Sequence, residues 1–255
     1  MISVGVSGGR GRHRSRRSEE EGRSERTGSR TDRRRQQRRR NVPKKNYVAI
    51  EGVIGAGKTT LATLLAKKWG AHLKLEVVEE NPFLAQFYQD MRGYAFQTQL
   101  FFLLSRHRQQ SELKQFDLFM ERVVSDYLFA KDRIFANITL DDNELALYKR
   151  LADLLEREVP KPDIVVYLQA SVECLMERIR KRGREFERDM SAEYIETLND
   201  AYNYFFFHYT DTPLIVVNTD DINFVESAAD FEELAREIEE HDKGTAYYVP
   251  IGTRT

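Results

Sequence analysis

From Tyr47 onward, short apolar runs alternate with stretches whose apolar positions recur three and four residues apart. The runs predict buried strands and the spaced stretches predict helices. Tyr47-Val-Ala-Ile50 reads as the first strand, and Leu61, Leu64, Leu65 and Trp69 then fall at helical spacing. Leu73-Lys-Leu-Glu-Val-Val78 reads as a second strand, broken at Asn81-Pro82. A short helix over 83–88 precedes a long one over 94–113, with Phe96, Leu100, Leu103 and Leu104 on one side. Strands follow at 118–124, 163–168 and 214–218, separated and followed by helices at 126–137, 143–155, 172–181, 192–209 and 224–240. Such alternation predicts an α/β fold: one five-stranded parallel sheet with helices on both faces, three layers in all. In that architecture ligands sit beyond the carboxyl ends of the strands. Glu76, Glu121 and Gln169 fall near such ends.

The first strand–helix junction carries the sharpest pattern. Gly52-Val-Ile-Gly-Ala-Gly-Lys-Thr59 fits the phosphate-loop spacing GxxxxGK[ST] at every fixed position. Glycines let successive backbone N–H groups turn toward one anion, and the helix N-terminus adds partial positive charge. The pattern assigns Gly52, Val53, Ile54, Gly55, Ala56, Gly57, Lys58, Thr59 and Thr60 to binding ATP. Lys58 is expected to reach the outer phosphates, and the Thr59 hydroxyl to hold Mg²⁺. A bare glycine-rich turn is the plain alternative, disfavoured by the complete pattern in its strand–helix context. The motif indicates a nucleoside triphosphate and leaves the acceptor open.

Charge divides the chain. Residues 1–45 hold fourteen Arg and two Lys against four Glu and one Asp, a balance of +11, so the rest of a chain of net −1 carries −12. This segment has almost no large apolar side chains and is expected to be disordered. Residues 46–242 are then the folded domain and 243–255 a C-terminal tail. The arginine runs Arg33-Arg-Arg35 and Arg38-Arg-Arg40 suit a nucleic-acid-binding arm, but a solvated extension without function is favoured over it. A transit peptide fits less well, because Glu19-Glu-Glu21 interrupts the segment. A single cysteine, Cys174, excludes an internal disulfide framework and fits a reducing compartment. The apolar run Leu100–Leu104 is far short of a membrane span. A soluble, cytoplasmic protein with no membrane partner is expected.

Phosphoryl transfer needs positioned phosphates, a metal, cations over the moving group and a residue that orients the nucleophile. Arg178 and Arg182 share one helix face, and Gly183 releases the chain into Arg184-Glu-Phe-Glu-Arg188. This stretch resembles the mobile lid of small P-loop kinases, although a solvated basic helix end would look the same. Carboxylates are too abundant for composition to choose a base. Glu76 ends the second strand, Glu79 and Glu80 follow it, and Glu51 could be structural.

Taken together, these segments resemble the deoxyribonucleoside kinase family from Tyr47 to about Glu240. Glu51-Gly-Val-Ile-Gly-Ala-Gly-Lys-Thr59 is similar to its phosphate loop. Leu75-Glu-Val-Val-Glu-Glu-Asn-Pro82 resembles the segment whose first glutamate is the general base, which implies Glu76. Phe87-Tyr88 is similar to the segment whose tyrosine holds the sugar 3′-hydroxyl. The helix around Phe96–Arg106 resembles one whose glutamine lies against the base and whose arginine reads it, implying Gln99 and Arg106. Ser125-Asp-Tyr-Leu-Phe129 implies that Asp126 pairs with that arginine, and Glu187 falls at a second 3′-hydroxyl ligand. The resemblance further implies Mg²⁺ and ATP, catalytic roles for Lys58, Arg178, Arg182 and Arg184, and a homodimer through the long helices.

One segment departs from the family. Many members carry an acid-Arg-Ser triplet after the third strand, whereas here Glu121-Arg122 is followed by Val123 and lies nearer to Asp126. Glu121 as a metal-side acid and Arg122 as a phosphate- or base-side cation therefore compete with a plain strand-end ion pair. Phe102, one turn beyond Gln99, is read as a base-pocket wall or as plain helix core. A Gln amide with an Arg–Asp pair suits a purine or cytosine better than thymine. The expected reaction is ATP-dependent phosphorylation of a deoxynucleoside 5′-hydroxyl, with deoxyguanosine or deoxyadenosine ahead of deoxycytidine. A nucleoside monophosphate kinase of the thymidylate type is the nearest alternative, disfavoured because Glu76, Glu79 and Glu80 would repel an acceptor phosphate. A non-transferring nucleotide-binding protein and a nucleic-acid-tethered ATPase are more distant ones.

Overall fold

A computed structural model describes residues 45–78, 80–116, 122–188, 190–220, 222 and 224–248, with backbone alone for 112–116. The arginine-rich segment 1–44, Glu79 and Glu121 lie outside the described residues. Six strands form one parallel sheet: β1 (Tyr47–Gly52), β2 (His72–Lys74), β3 (Val123–Ser125), β4 (Ile164–Gln169), β5 (Leu214–Asn218) and β6 (Thr245–Tyr248), in spatial order β2-β3-β1-β4-β5-β6. The helices are α1 (Lys58–Trp69), α2 (Leu84–Gln89), α3 (Met91–Phe116), α4 (Asp132–Thr139), α5 (Asp142–Glu156), α6 (Val172–Arg182), α7 (Ala192–Phe207) and α8 (Ala228–Glu240). Short 3₁₀ turns occupy Phe129–Lys131 and Glu185–Glu187.

The central strands are mostly apolar because both faces are covered. Val48, Ala49, Ile50 and Ile164 to Leu168 are essentially inaccessible to solvent. On one side Tyr167 stacks on Phe206 of α7 with ring centroids 4.2 Å apart. A second apolar cluster joins Phe87, Leu103 and Tyr148 of α2, α3 and α5. The sheet positions the site through Glu51, which is fully buried in β1. Its carboxylate accepts from Gly52 N at 3.0 Å, Leu128 N at 2.7 Å and the Tyr202 hydroxyl at 3.2 Å. That satisfies a buried charge and ties β1 to the turn after β3 and to α7. Glu51 is a structural clamp.

Three expectations need correction. The sheet has six strands, because residues 245–248, assigned to the tail, pair with β5 from Leu214↔Thr245 to Val217↔Tyr248. A four-residue edge strand carries too little periodicity to stand out, and Tyr248 alone is buried. The helix expected over 126–137 begins at Asp132, after an extended segment and the 3₁₀ turn. The second strand ends at Lys74, so Glu76 lies just beyond it. Among the described residues, no helix is long and apolar enough to cross a membrane.

Candidate active site

At the carboxyl end of the sheet lies a cleft of about 1100 Å³. Its floor is the phosphate loop. Helices α5, α6, α7 and α8 are capped by the side chains of Asp141, Ser171, Ser191 and Ser227, whereas α1 starts from Gly57 with no side-chain cap. Its first N–H groups are therefore available to an anion. Gly57 at φ 97° and Gly55 at φ 90° adopt backbone that other residues rarely reach, and a Cβ on Gly55 would meet Leu175 O at 2.9 Å. Lys58 Nζ folds back over the loop, donating to Gly52 O at 2.7 Å and Val53 O at 3.1 Å. Burial, then the charge of Lys131, lowers its pKa to about 8. Ile54 to Thr60 line the cleft, while Gly52 and Val53 support it from beneath.

Opposite the loop is a chain of buried charge. Glu76 Oε1 accepts from Arg106 Nε at 2.8 Å and also from Arg106 Nη2. Glu76 Oε2 accepts from Lys131 Nζ at 2.6 Å. Arg106 in turn pairs with Asp132 and packs its guanidinium 4.8 Å from the Phe102 ring centre. Burial alone would raise the pKa of the Glu76 carboxyl, but Arg106 and then Lys131 hold it well below the usual carboxylate range. This acid is ionised.

The expected Arg106–Asp126 pair is not formed. Asp126 Oδ2 instead accepts from the Thr59 hydroxyl at 2.6 Å, and Oδ1 from Glu76 N at 2.7 Å. The reason is register: Asp126 N bonds Lys74 O, so the residue directly follows β3 and faces the loop. The 3₁₀ turn then delivers Lys131 and Asp132 to Glu76 and Arg106. Sequence reasoning missed both residues, because no local pattern marks contacts that reach Glu76 and Arg106 in distant segments. Arg122 lies elsewhere, 3.4 Å over the Trp69 ring and 2.9 Å from Glu239.

Other predicted residues gather around the same cleft. Gln99 lines it, while Gln97 turns back to Gly93 O at 3.2 Å. Asn81 anchors this wall, with Nδ2 donating to Thr98 O at 3.2 Å. Tyr88 stacks against Phe186, next to Glu187, at 6.2 Å. Glu187 is buried and accepts from Arg182 Nη2 at 2.6 Å and Nε at 3.1 Å. Arg184 lies 3.7 Å from the same carboxylate. Arg178 is held at the end of β5 by Thr219 Oγ1 and O, at 2.9 and 2.8 Å. Glu80 lies outside the cleft beside Arg108, and Cys174 is half-buried at the core rim.

A parallel sheet bearing an open phosphate loop, a buried carboxylate in the same cleft and an arginine-rich helix end beside it defines a P-loop phosphotransferase. A model of the deoxynucleoside kinase family matches residues 48–242. The deoxyguanosine kinase of Bacillus subtilis (strain 168) is 38% identical over 201 residues, 76% of this chain and 96% of that protein. The deoxyadenosine/deoxycytidine kinase of the same organism is 29% identical over 205 residues, covering 78% and 94%. Among solved structures, deoxyadenosine kinase from M. mycoides with bound dATP aligns at TM-score 0.65 and 30% identity, covering 75% of this chain and 98% of that one. The chain belongs to the deoxynucleoside kinase family, and it is an enzyme that transfers phosphate.

Proposed function

We propose that this enzyme moves the terminal phosphate of ATP to the 5′-hydroxyl of a purine deoxynucleoside, deoxyguanosine or deoxyadenosine ahead of deoxycytidine. The observation that carries this is Glu76, a buried ionised carboxylate in the same cleft as the phosphate loop. In the empty cleft the cations at that end each face a carboxylate, Arg106 and Lys131 at Glu76 and Arg182 at Glu187. That arrangement suits an uncharged acceptor better than a monophosphate. The purine preference rests on Gln99 with the Arg106–Asp132 pair, and on the substrates named for the relatives.

Each residue then has a task. Loop amides and Lys58 hold the donor phosphates. Thr59 and Asp126 fit Mg²⁺, being adjacent hard oxygen donors 2.6 Å apart at the loop. A cation there needs few protein ligands because phosphates and water complete its shell. It would neutralise charge on the donor oxygens. Glu76 orients the 5′-hydroxyl and takes its proton as the new O–P bond forms and the bond to ADP breaks. Tyr88 and Glu187 hold the sugar once Arg182 releases Glu187, and Arg178, Arg182 and Arg184 face the transferring group. Leu104, Leu147 and Leu154, exposed on α3 and α5, suit pairing of two copies through the long helices.

The test compares the four natural deoxynucleosides with their 5′-monophosphates as acceptors, following ADP release. Turnover with purine deoxynucleosides is expected. Turnover with monophosphates alone would replace this reading with the monophosphate kinase.

A further inference from the structure

The reading above leaves one geometric problem. A 5′-hydroxyl must give its proton to Glu76, yet each carboxylate oxygen faces a cation: Oε1 accepts twice from Arg106, and Oε2 accepts once from Lys131, which leaves one lone pair of Oε2 open. An ammonium held against that oxygen opposes its protonation, so the cation on the receiving oxygen has to move. Arg106 is fixed on three sides, by Glu76, by Asp132 and by the Phe102 ring. Its planar fork cannot turn without breaking the pair with Asp132, which would leave two buried charges without partners.

Lys131 is placed differently. Among the described residues its ammonium bonds Glu76 alone. Its backbone is secured by Lys131 N donating to Leu128 O at 3.1 Å, independently of the side chain. Its ammonium sits on a flexible four-carbon stem, a point charge that can be re-aimed. It lines the same cleft as the phosphate loop, and its charge already acts on Lys58. A cation leaving Glu76 in so buried a site needs another anion. When ATP is bound, the nearest new negative charge is the phosphoryl group bound for the 5′-oxygen.

We propose that Lys131 has two stations: it occupies Glu76 Oε2 while the cleft is empty, and swings to the transferring phosphoryl group when donor and acceptor bind. The move frees Oε2 to take the hydroxyl proton and brings a cation to oxygens that carry charge in the transition state. Lys131 gains and loses no proton: the hydroxyl proton goes to Glu76, the O–P bond forms and the electron pair of the broken bond leaves on ADP. Lys131 is thus a catalytic cation supplied from the 3₁₀ turn, a place in the chain that Arg122, packed on Trp69, does not serve.

This inference rests on the deoxynucleoside reading, and the experiment separates the two. Lys131→Met, Lys131→Gln and Lys131→Arg are compared with the unsubstituted enzyme. The readouts are kcat, the deoxynucleoside KM, ATP affinity, and affinity for a bisubstrate analogue in which a polyphosphate joins the nucleoside 5′-oxygen to adenosine. Thermal melting checks folding, and Gln keeps a donor for Glu76 if Met does not fold. For Met or Gln we expect kcat to fall about a hundredfold. ATP affinity and the deoxynucleoside KM should stay within about threefold, the analogue should bind about tenfold more weakly, and Arg should recover a tenth or more of kcat. A folded variant with kcat within threefold of the parent overturns the proposal. So does lost kcat with a raised deoxynucleoside KM and unchanged analogue affinity, which would make Lys131 a strut for Glu76. If the unsubstituted enzyme forms no ADP in response to any deoxynucleoside, the acceptor reading itself fails, before any variant is made.

Discussion

The two ends of the cleft are built from different material. The donor end is main chain: positive-φ glycines, an uncapped helix start, and a lysine parked on two carbonyl oxygens. The acceptor end is side chain: Glu76, Arg106, Lys131 and Asp132 form one line of buried charges drawn from separate segments. A main-chain site depends on local backbone conformation and is written in one contiguous motif. A side-chain site can be retuned by one substitution, and it fails at the first partner removed, because the remaining charges stay buried without compensation.

The strongest test of that contrast is Glu76→Gln. It removes the proton acceptor and leaves the donor end intact. We expect kcat to fall roughly a hundred- to ten-thousand-fold while ATP affinity changes little. Unchanged turnover in a folded variant would remove Glu76 from the mechanism.

A smaller effect separates the two aspartates. Asp126→Asn should raise the Mg²⁺ concentration for half-maximal activity by at least about tenfold, with the deoxynucleoside KM little altered. Asp132→Asn should do the reverse, weakening deoxynucleoside use by about thirtyfold, the worth of a hydrogen bond to a charged group, and purines more than pyrimidines. Titrating metal and acceptor separately against both variants checks the assignment. If Asp126→Asn moved the nucleoside KM instead, the base-side pair would belong to Asp126 after all.

The same contrast explains what could be read from the chain. Strands β1, β4 and β5 were legible because burial on both faces leaves continuous apolar runs. The phosphate loop was legible because four residues, Gly52, Gly57, Lys58 and Thr59, fall at the fixed spacing that its backbone turn and phosphate contacts require. Glu76 and Arg106 came from family resemblance, and their mutual bond did not, since nothing local records a contact across thirty residues. The Asp126–Asp132 exchange was hidden by a turn: an extended segment and a 3₁₀ turn replace the expected helix start, carrying Lys131 and Asp132 across the cleft. Edge strand β6 was too short to register.

The mildest prediction concerns the donor end and its pH dependence. Burial and Lys131 lower the pKa of Lys58 to about 8 from 10.5 in the empty cleft. A group with a lowered pKa favours its neutral form when folded, so the nucleotide-free fold gains stability as pH rises between those values. Phosphates act in the opposite sense, because they bind the ammonium. Above about pH 8, ATP binding must therefore take up a proton at Lys58. The affinity should fall as pH rises, by at most about tenfold per unit, since one proton is linked. Calorimetry in buffers of different ionisation enthalpy would register that uptake directly. Lys58→Arg keeps a charge that does not titrate in this range and should flatten the profile. A wild-type affinity constant from pH 7.5 to 9.5, with no proton uptake, would mean that Lys58 stays charged in the empty cleft. The two ends would then be electrostatically independent, contrary to the influence that Lys131 has on Lys58 here.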